Sequence, residues 1–217
     1  MRFPIALAFT IAAVTMTSAQ SSSKQIINVG GNPTLPFSSA IKAGGLIYAA
    51  GTLGVDSSGA IVTGGITAQT KQTLQNLAAT LNAGGSSIAN ATSVLVYLRS
   101  ASDFAAMNEV YSTYWPKDPP ARTTIVVSQL ALADALVEIS MIAVPNGGQR
   151  IAIHPGDWIK SPNPYSYGMK TGNTLFLSGL VSRNGKDNVN VKGDITTQTK
   201  TILDNGAAVL KLSLIHI

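Results

Sequence analysis

Apolar and polar positions alternate with several different periods along this chain, and each change of period marks an element. Leu46–Ala50 is an apolar run of strand length, and Ile61–Val62 is a second, placed around a Ser57-Ser58-Gly59 turn. From Ile66 the period lengthens. Ile66, Thr70, Leu74, Leu77/Ala78 and Leu81 share one helical face, and Gly84-Gly85 supplies a C-terminal stop. Val94–Leu98 reads as a strand, and Asp103 is placed to cap a second helix with the apolar face Phe104, Met107, Val110/Tyr111 and Tyr114. Two β-branched runs, Thr123–Val127 and Leu136–Val144, flank a short connector and read as neighbouring strands. The order β-α-β-α-β-β predicts an α+β domain with both helices on one face of a single mixed β-sheet.

The first residues obey a different logic. Met1-Arg2 carries positive charge, Pro4 to Met16 is apolar, and Thr17-Ser18-Ala19 offers small residues before Gln20. That is the three-part layout of a secretory signal peptide cleaved after Ala19. The apolar run is also shorter than the ~20 residues a membrane span needs. The expectation is a secreted or periplasmic protein with no membrane attachment after cleavage. In a eukaryotic secretory route, Asn90-Ala91-Thr92 is a glycosylation acceptor.

The pattern then repeats. Ile66-Thr67-Ala68-Gln69-Thr70-Lys71 recurs as Ile195-Thr196-Thr197-Gln198-Thr199-Lys200, and the match continues through Leu74/Leu203, Asn76/Asn205, Ala78/Ala207 and Leu81/Leu210. Upstream, Pro36-Phe37-Ser38 matches Pro164-Tyr165-Ser166, and Gly51 matches Gly179. The offset is 128 before the Asp56/Arg183 turn region and 129 after it, so one residue is inserted in a turn. Nothing after Lys211 corresponds to the Val94 strand, to the Phe104 helix or to the Arg122 and Glu138 strands. The expected organisation is a signal peptide over 1–19, a first domain over 20–146, the N-terminal half of a second over 147–211, and a non-native tail over 212–217. On this reading the chain is a fragment, because half a sheet cannot bury its own core.

Composition narrows the chemistry. An apolar content of 45% in 217 residues supports a real core. The absence of cysteine excludes disulfides and thiolate metal sites, and two histidines, His154 and His216, leave little for a zinc or Ser-His centre. The net charge of +5 and pI of about 9.5 are basic, but the lysines and arginines are scattered, which fits a solvated surface and not a nucleic-acid stripe. With only 12% of residues charged, two charges in apolar strands stand out: Arg122 where one begins, just after Pro119-Pro120, and Glu138 inside the next. Burying either costs several kcal/mol, on the order of a broken ion pair, unless it finds a partner. They either pair with each other or a neighbouring subunit, or serve a ligand: the arginine forking onto a carboxylate, the glutamate holding or activating a water.

The residues around these two charges carry a family resemblance. The segment Pro120-Ala121-Arg122-Thr123, an apolar strand, then Val137-Glu138-Ile139 and a closing Ile142-Ala143-Val144 resembles the signature of the RidA family, also called YjgF/YER057c/UK114. Leu35-Pro36-Phe37-Ser38 is similar to the family's Gly-Pro-Tyr-Ser opening, and Ile47-Tyr48-Ala49-Ala50-Gly51 to its Ile-x-x-Ser-Gly strand. Ser102-Asp103-Phe104-Ala105-Ala106-Met107-Asn108 is similar to its Asp-Phe-x-x-Val-Asn helix. The resemblance covers Lys24 to about Pro145. It implies a chorismate-mutase-like sheet with two helices on one face, here followed by an incomplete second copy. It also implies a homotrimer, or a pseudo-trimer of repeats, with ligand sites between subunits.

The activity implied is hydrolysis of short-lived 2-imino or enamino acids, of the 2-aminoacrylate type, to 2-keto acids and ammonia. An imine carbon is already electrophilic, so no metal or organic cofactor is required. A cation that holds the α-carboxylate and a group that positions water suffice. The resemblance assigns Arg122 and Glu138 to those catalytic roles and puts Gly51, Phe37, Tyr165 and Ser178 beside the substrate. Asn108, on the second helix, is expected to cap or bond a loop and not to touch substrate. Two positions depart from the family pattern: Phe37 replaces its tyrosine and Ala50 its serine, whereas the second repeat keeps both as Tyr165 and Ser178-Gly179. Complementation is therefore expected, with Arg122 and Glu138 from the first repeat and Tyr165 and Ser178 from the second. The alternatives are a non-catalytic module that binds small carboxylates and, third, an endoribonuclease.

Overall fold

In the computed structural model, which describes residues 23–30 and 36–213, the first six paired strands form one sheet. They are β1 (Gln25–Ile27), β2 (Ala40–Ala43), β3 (Leu46–Leu53), β4 (Ala91–Leu98), β5 (Ala121–Val126) and β6 (Val137–Ala143), in the spatial order β1-β2-β3-β6-β4-β5. Every pairing is antiparallel except β4 with β5. Helices α1 (Gly65–Ala83) and α2 (Phe104–Tyr114) complete this unit. The expected signal peptide lies outside the described residues, as do Leu35 and residues 214–217 of the expected tail.

Helix α1 forms on the face the sequence predicts. Thr70, Thr73, Leu74, Leu77 and Leu81 are buried, and the leucines pack on Val94, Val96, Leu98, Ile139 and Met141 of the sheet. Burial of each such side chain contributes about 1.5–3 kcal/mol, so this layer holds the unit together. Gly84 closes the helix by donating to the carbonyls of Thr80 and Leu81, and Gly85 turns the chain at φ +78°, where a Cβ would be strained. Asp103 does sit at the start of α2 but makes no capping hydrogen bond. The preceding 3-10 turn is capped by Ser100, whose hydroxyl accepts from the Ser102 N–H at 3.2 Å.

Two sequence expectations about the sheet are corrected. The runs that become β5 and β6 are not neighbours, because β4 lies between them. A crossover through α2 lays β5 parallel to β4, and the connector then passes over the end of β4: Val127 N–H reaches the Leu98 carbonyl and Arg99 N–H the Leu136 carbonyl. Ile61–Val62 is not a strand either, since Ile61 makes only an isolated bridge to Val55. Strands β1 and β2 add to the expected order. They are 3 and 4 residues long, and β2 alternates no clear apolar face, so neither carries a periodic signal.

A second, three-stranded sheet comes next: β7 (Ile151–Ile153), β8 (Gly168–Thr171) and β9 (Thr174–Leu177), all antiparallel, and then α3 (Ile195–Leu212). Its order of pairing is that of β1, β2 and β3, and the isolated Arg183–Asn190 bridge stands where the first unit has Val55–Ile61. The one-residue insertion falls inside that bridged turn. A small core of Ile153, Tyr167 and Val209 supports it, with Trp158, Tyr165, Leu175, Leu177 and Leu180 packed around. Helix α3 continues through Leu212, one residue past the point where the repeat correspondence ends. Among the described residues no helix is long and apolar enough to cross a membrane.

Candidate active site at the seam between the two units

Strand β5 is the edge of the first sheet, and the second unit closes that edge. Arg122 N–H donates to Ser178 Oγ at 2.9 Å, and the Arg122 carbonyl accepts from Gly179 N–H at 3.1 Å. Ser178 Oγ in turn donates to the Ser166 carbonyl at 2.6 Å, and Ser166 N–H reaches the Pro120 carbonyl at 3.3 Å. The contact is close: a Cβ on Gly179 would lie 2.9 Å from the Thr123 side chain. Glycine is what allows the two backbones to meet there. The sequence expectation places Ser178 on substrate. Its hydroxyl bridges the seam, accepting from the Arg122 N–H and donating to the Ser166 carbonyl.

The Arg122 side chain lies under α2. Its strand partner Val94 is a core residue, so both project to the helical face. The guanidinium carbon sits 4.7 Å from the ring centre of Tyr111, 5.8 Å from Phe104 and 6.0 Å from Tyr165. Three aromatic faces therefore surround one cation, two from α2 and one from the second unit. Such contacts offset part of the cost of removing the charge from water, at about 0.5–2 kcal/mol each. Arg122 is only 4% exposed, has no ion pair among the described residues, and leaves Nη1 buried without a hydrogen-bond partner. Burial lowers its pKa from the ordinary arginine value, and the Tyr111 and Tyr165 phenols work in the opposite direction.

Other polar atoms on α2 and β5 are equally unmatched. The Tyr111 hydroxyl is fully buried without a partner, and burial pushes its pKa far up while Arg122 and Arg150 oppose the shift. Asn108 donates to Asn163 Oδ1 at 3.3 Å, a loop contact as expected, but its own Oδ1 is buried and unpartnered, and so is Thr124 Oγ1. Native proteins rarely leave several buried polar atoms unmatched in one place, and ordered water, an ion or a ligand is what satisfies such groups. Phe104, Asn108 and Tyr111 were legible only as helix residues. Their i, i+4, i+7 spacing puts them on one face, which is the signal that the three act together.

Glu138 is not part of this cluster. Val137, Ile139 and Met141 point into the helical core, so Glu138 between them projects from the opposite face of the sheet, across from Tyr97 and Leu53. Arg122 and Glu138 therefore do not pair. Beneath Glu138 lies Gly51, where any Cβ would overlap the carboxylate Oε1. Having no Cβ, Gly51 leaves the space that the glutamate occupies. Phe37, 62% exposed, lies on the segment leading into β2, where the Ser39 carbonyl accepts from Ala50 N–H at 3.0 Å. The site residues thus divide into two groups, Arg122 with Tyr165 and Ser178, and Glu138 with Gly51.

Because the obstructing atom is the end of a flexible side chain, Gly51→Ala is expected to swing Glu138 away while changing stability by less than about 1 kcal/mol. A crystal structure of the variant and its thermal melt check both halves of that expectation.

Comparison with known proteins agrees with this architecture. A sequence profile described as Endoribonuclease L-PSP matches residues 31–145. A RutC family protein of Pyrococcus horikoshii is 46% identical over 112 residues, 51% of this chain and 88% of that protein. A 2-iminobutanoate/2-iminopropanoate deaminase of Mus musculus is 39% identical over 110 residues, 50% of this chain and 81% of that one. The crystal structure of RidA from an Antarctic Psychrobacter superposes with a TM-score of 0.52 at 31% identity, over 55% of this chain and 98% of that chain. The matched residues end at the last strand of the first sheet, and over them the chain belongs to the Endoribonuclease L-PSP family, the RidA or YjgF/YER057c/UK114 family of its sequence motifs.

Proposed function

We propose that this protein hydrolyses 2-imino or enamino acids of the 2-aminoacrylate type to 2-keto acids and ammonia. The observation that carries the reading is Arg122: a buried guanidinium with an unmatched Nη1, no ion pair among the described residues, and three aromatic rings around it. A carboxylate ligand supplies the missing acceptor, and a bidentate contact fixes the imine carbon relative to the protein. An enamine first tautomerises to the imine, its methylene carbon gaining a proton as nitrogen loses one; water then adds to the imine carbon, the C–N bond breaks, and nitrogen leaves as ammonia with the protons of the water. The Mus musculus relative bears the name of this chemistry over the matched residues.

In this reading residues 147–211 are an incomplete second copy of the first domain, docked so that Tyr165 supplies the hydroxyl that Phe37 lacks. Tyr165 lies over Arg122, which supports complementation between the repeats. Glu138, on the other sheet face, serves a different composite site. There it positions water opposite an arginine of a neighbouring unit in a homotrimer or pseudo-trimer. The mature protein begins at Gln20 and acts outside the cytoplasm, and residues 212–217 are foreign to the repeat.

The test generates 2-aminoacrylate or 2-iminobutyrate in situ with a second enzyme and follows keto-acid release with and without this protein. Acceleration over spontaneous hydrolysis is expected. No acceleration, with 2-ketobutyrate still bound, would select the non-catalytic binding module.

A further inference from the structure

One motif of the sequence plays no part in the proposed reaction. Of the chain's asparagines, only Asn90 opens an Asn-x-Ser/Thr triplet free of proline, because Asn32-Pro33-Thr34 carries proline at its centre. Asn90 ends the 3-10 turn Ile88–Asn90, immediately before β4. Its backbone is anchored, since its carbonyl accepts from the Val144 N–H at 3.1 Å. Its side chain stands outside the sheet, where Nδ2 donates to Asn146 Oδ1 at 3.0 Å in a solvent-exposed contact. Asn146, Gly147 and Gly148 are all exposed, and a Cβ on Gly147 would meet nothing within 4 Å, so the space beside the pair is open. The bond to Asn146 uses one of the two Nδ2 protons. A sugar carried on the same nitrogen replaces the other and leaves that contact intact.

The rest of the triplet has the opposite setting. Ala91 and Thr92 are both 0% exposed, and the Thr92 hydroxyl donates to the Ile142 carbonyl of β6 at 3.0 Å. A glycosyl transferase recognises the hydroxyl together with the amide, and in the folded sheet this hydroxyl is out of reach. Ile142 stands 50 residues further along the chain. During synthesis the whole triplet therefore emerges uncovered, and β6 closes over it only afterwards.

We propose that Asn90 is an N-glycosylation site, modified during synthesis before β6 pairs with β4. The proposal rests on the reading of residues 1–19 as a leader, here one that takes the chain into a glycosylating secretory route. In the transfer, a bond forms between Asn90 Nδ2 and C1 of the first sugar of a lipid-diphosphate-linked oligosaccharide. The bond from C1 to the diphosphate breaks, the diphosphate leaves with the electron pair, and Nδ2 gives up one proton to solvent. The glycan then stands at the corner where β4 begins and β6 ends, and Thr92 is free to make its buried bond to Ile142.

Cell-free translation of the full chain with microsomes tests the site and the leader together. The expected product has lost its leader and runs as one slower band. An amide-cleaving N-glycosidase returns that band to the unmodified mobility and leaves aspartate at position 90, read by mass spectrometry. Asn90→Gln and Thr92→Val are each expected to abolish the shift, and Thr92→Ser to keep it. None of these variants needs to fold, because transfer precedes folding. A chain that loses its leader but stays unshifted overturns the site and leaves export standing. A chain that keeps Met1 removes the export reading and the glycan with it. A shift that survives Asn90→Gln also overturns the assignment. Protein folded without microsomes and then offered to detergent-opened ones is expected to stay unmodified, and its conversion would overturn the order of events.

Discussion

Arg122→Ala is expected to lower kcat/KM for imine hydrolysis roughly ten- to a hundredfold, the equivalent of about 1.5–3 kcal/mol for a hydrogen bond to a charged group. The loss should appear in ligand affinity as well, because the guanidinium binds the carboxylate in the ground state. Arg122→Lys is expected to restore little. An ammonium cannot present the planar fork, and it stacks less well between the rings of Phe104, Tyr111 and Tyr165. Stability should move less than activity. Alanine removes packing but also removes a buried charge with no ion pair among the described residues, and these effects oppose each other. Arg122's backbone bonds to Ser178 and Gly179 are independent of the side chain, so the seam itself should persist. Circular dichroism and oligomer size are the controls. A variant as active as wild type would leave the fold assignment intact and remove Arg122 from the chemistry.

The reason this arginine was legible in the sequence is its setting. A charge at the mouth of a β-branched run, after two prolines, is costly unless it is used, and the structure buries it as expected. The helix α1 face was legible for a similar reason, since a 3.6-residue period over sixteen positions admits few alternatives. What failed was the relation between elements. Two apolar runs separated by a short connector describe a hairpin and a crossover equally well, and only the strand that comes between them distinguishes the two. Once β4 intervenes, Arg122 and Glu138 fall on opposite faces, because a strand residue's face depends on register as well as on sequence.

Context also separates two leucines that the sequence makes equivalent. Leu74 on α1 and Leu203 on α3 occupy the same place in the repeated helix, yet Leu74 is 0% exposed and Leu203 is 66% exposed. In the first unit α2 and β6 lie against α1, whereas the corresponding face of α3, with Ile195 at 78% exposure, meets none of the described residues to that extent. Leu74→Ala deletes buried methyl groups from a close-packed layer and is expected to cost about 2–5 kcal/mol. For a chain of this size that is a fall in melting temperature of roughly 4–20 °C. Leu203→Ala removes a side chain that already stands in water, so its expected effect is within about 0.5 kcal/mol. Denaturant titration of both variants beside wild type measures the difference directly, with unchanged m-values as the check that the same surface unfolds. Near-equal costs would mean that the α3 face is covered in solution.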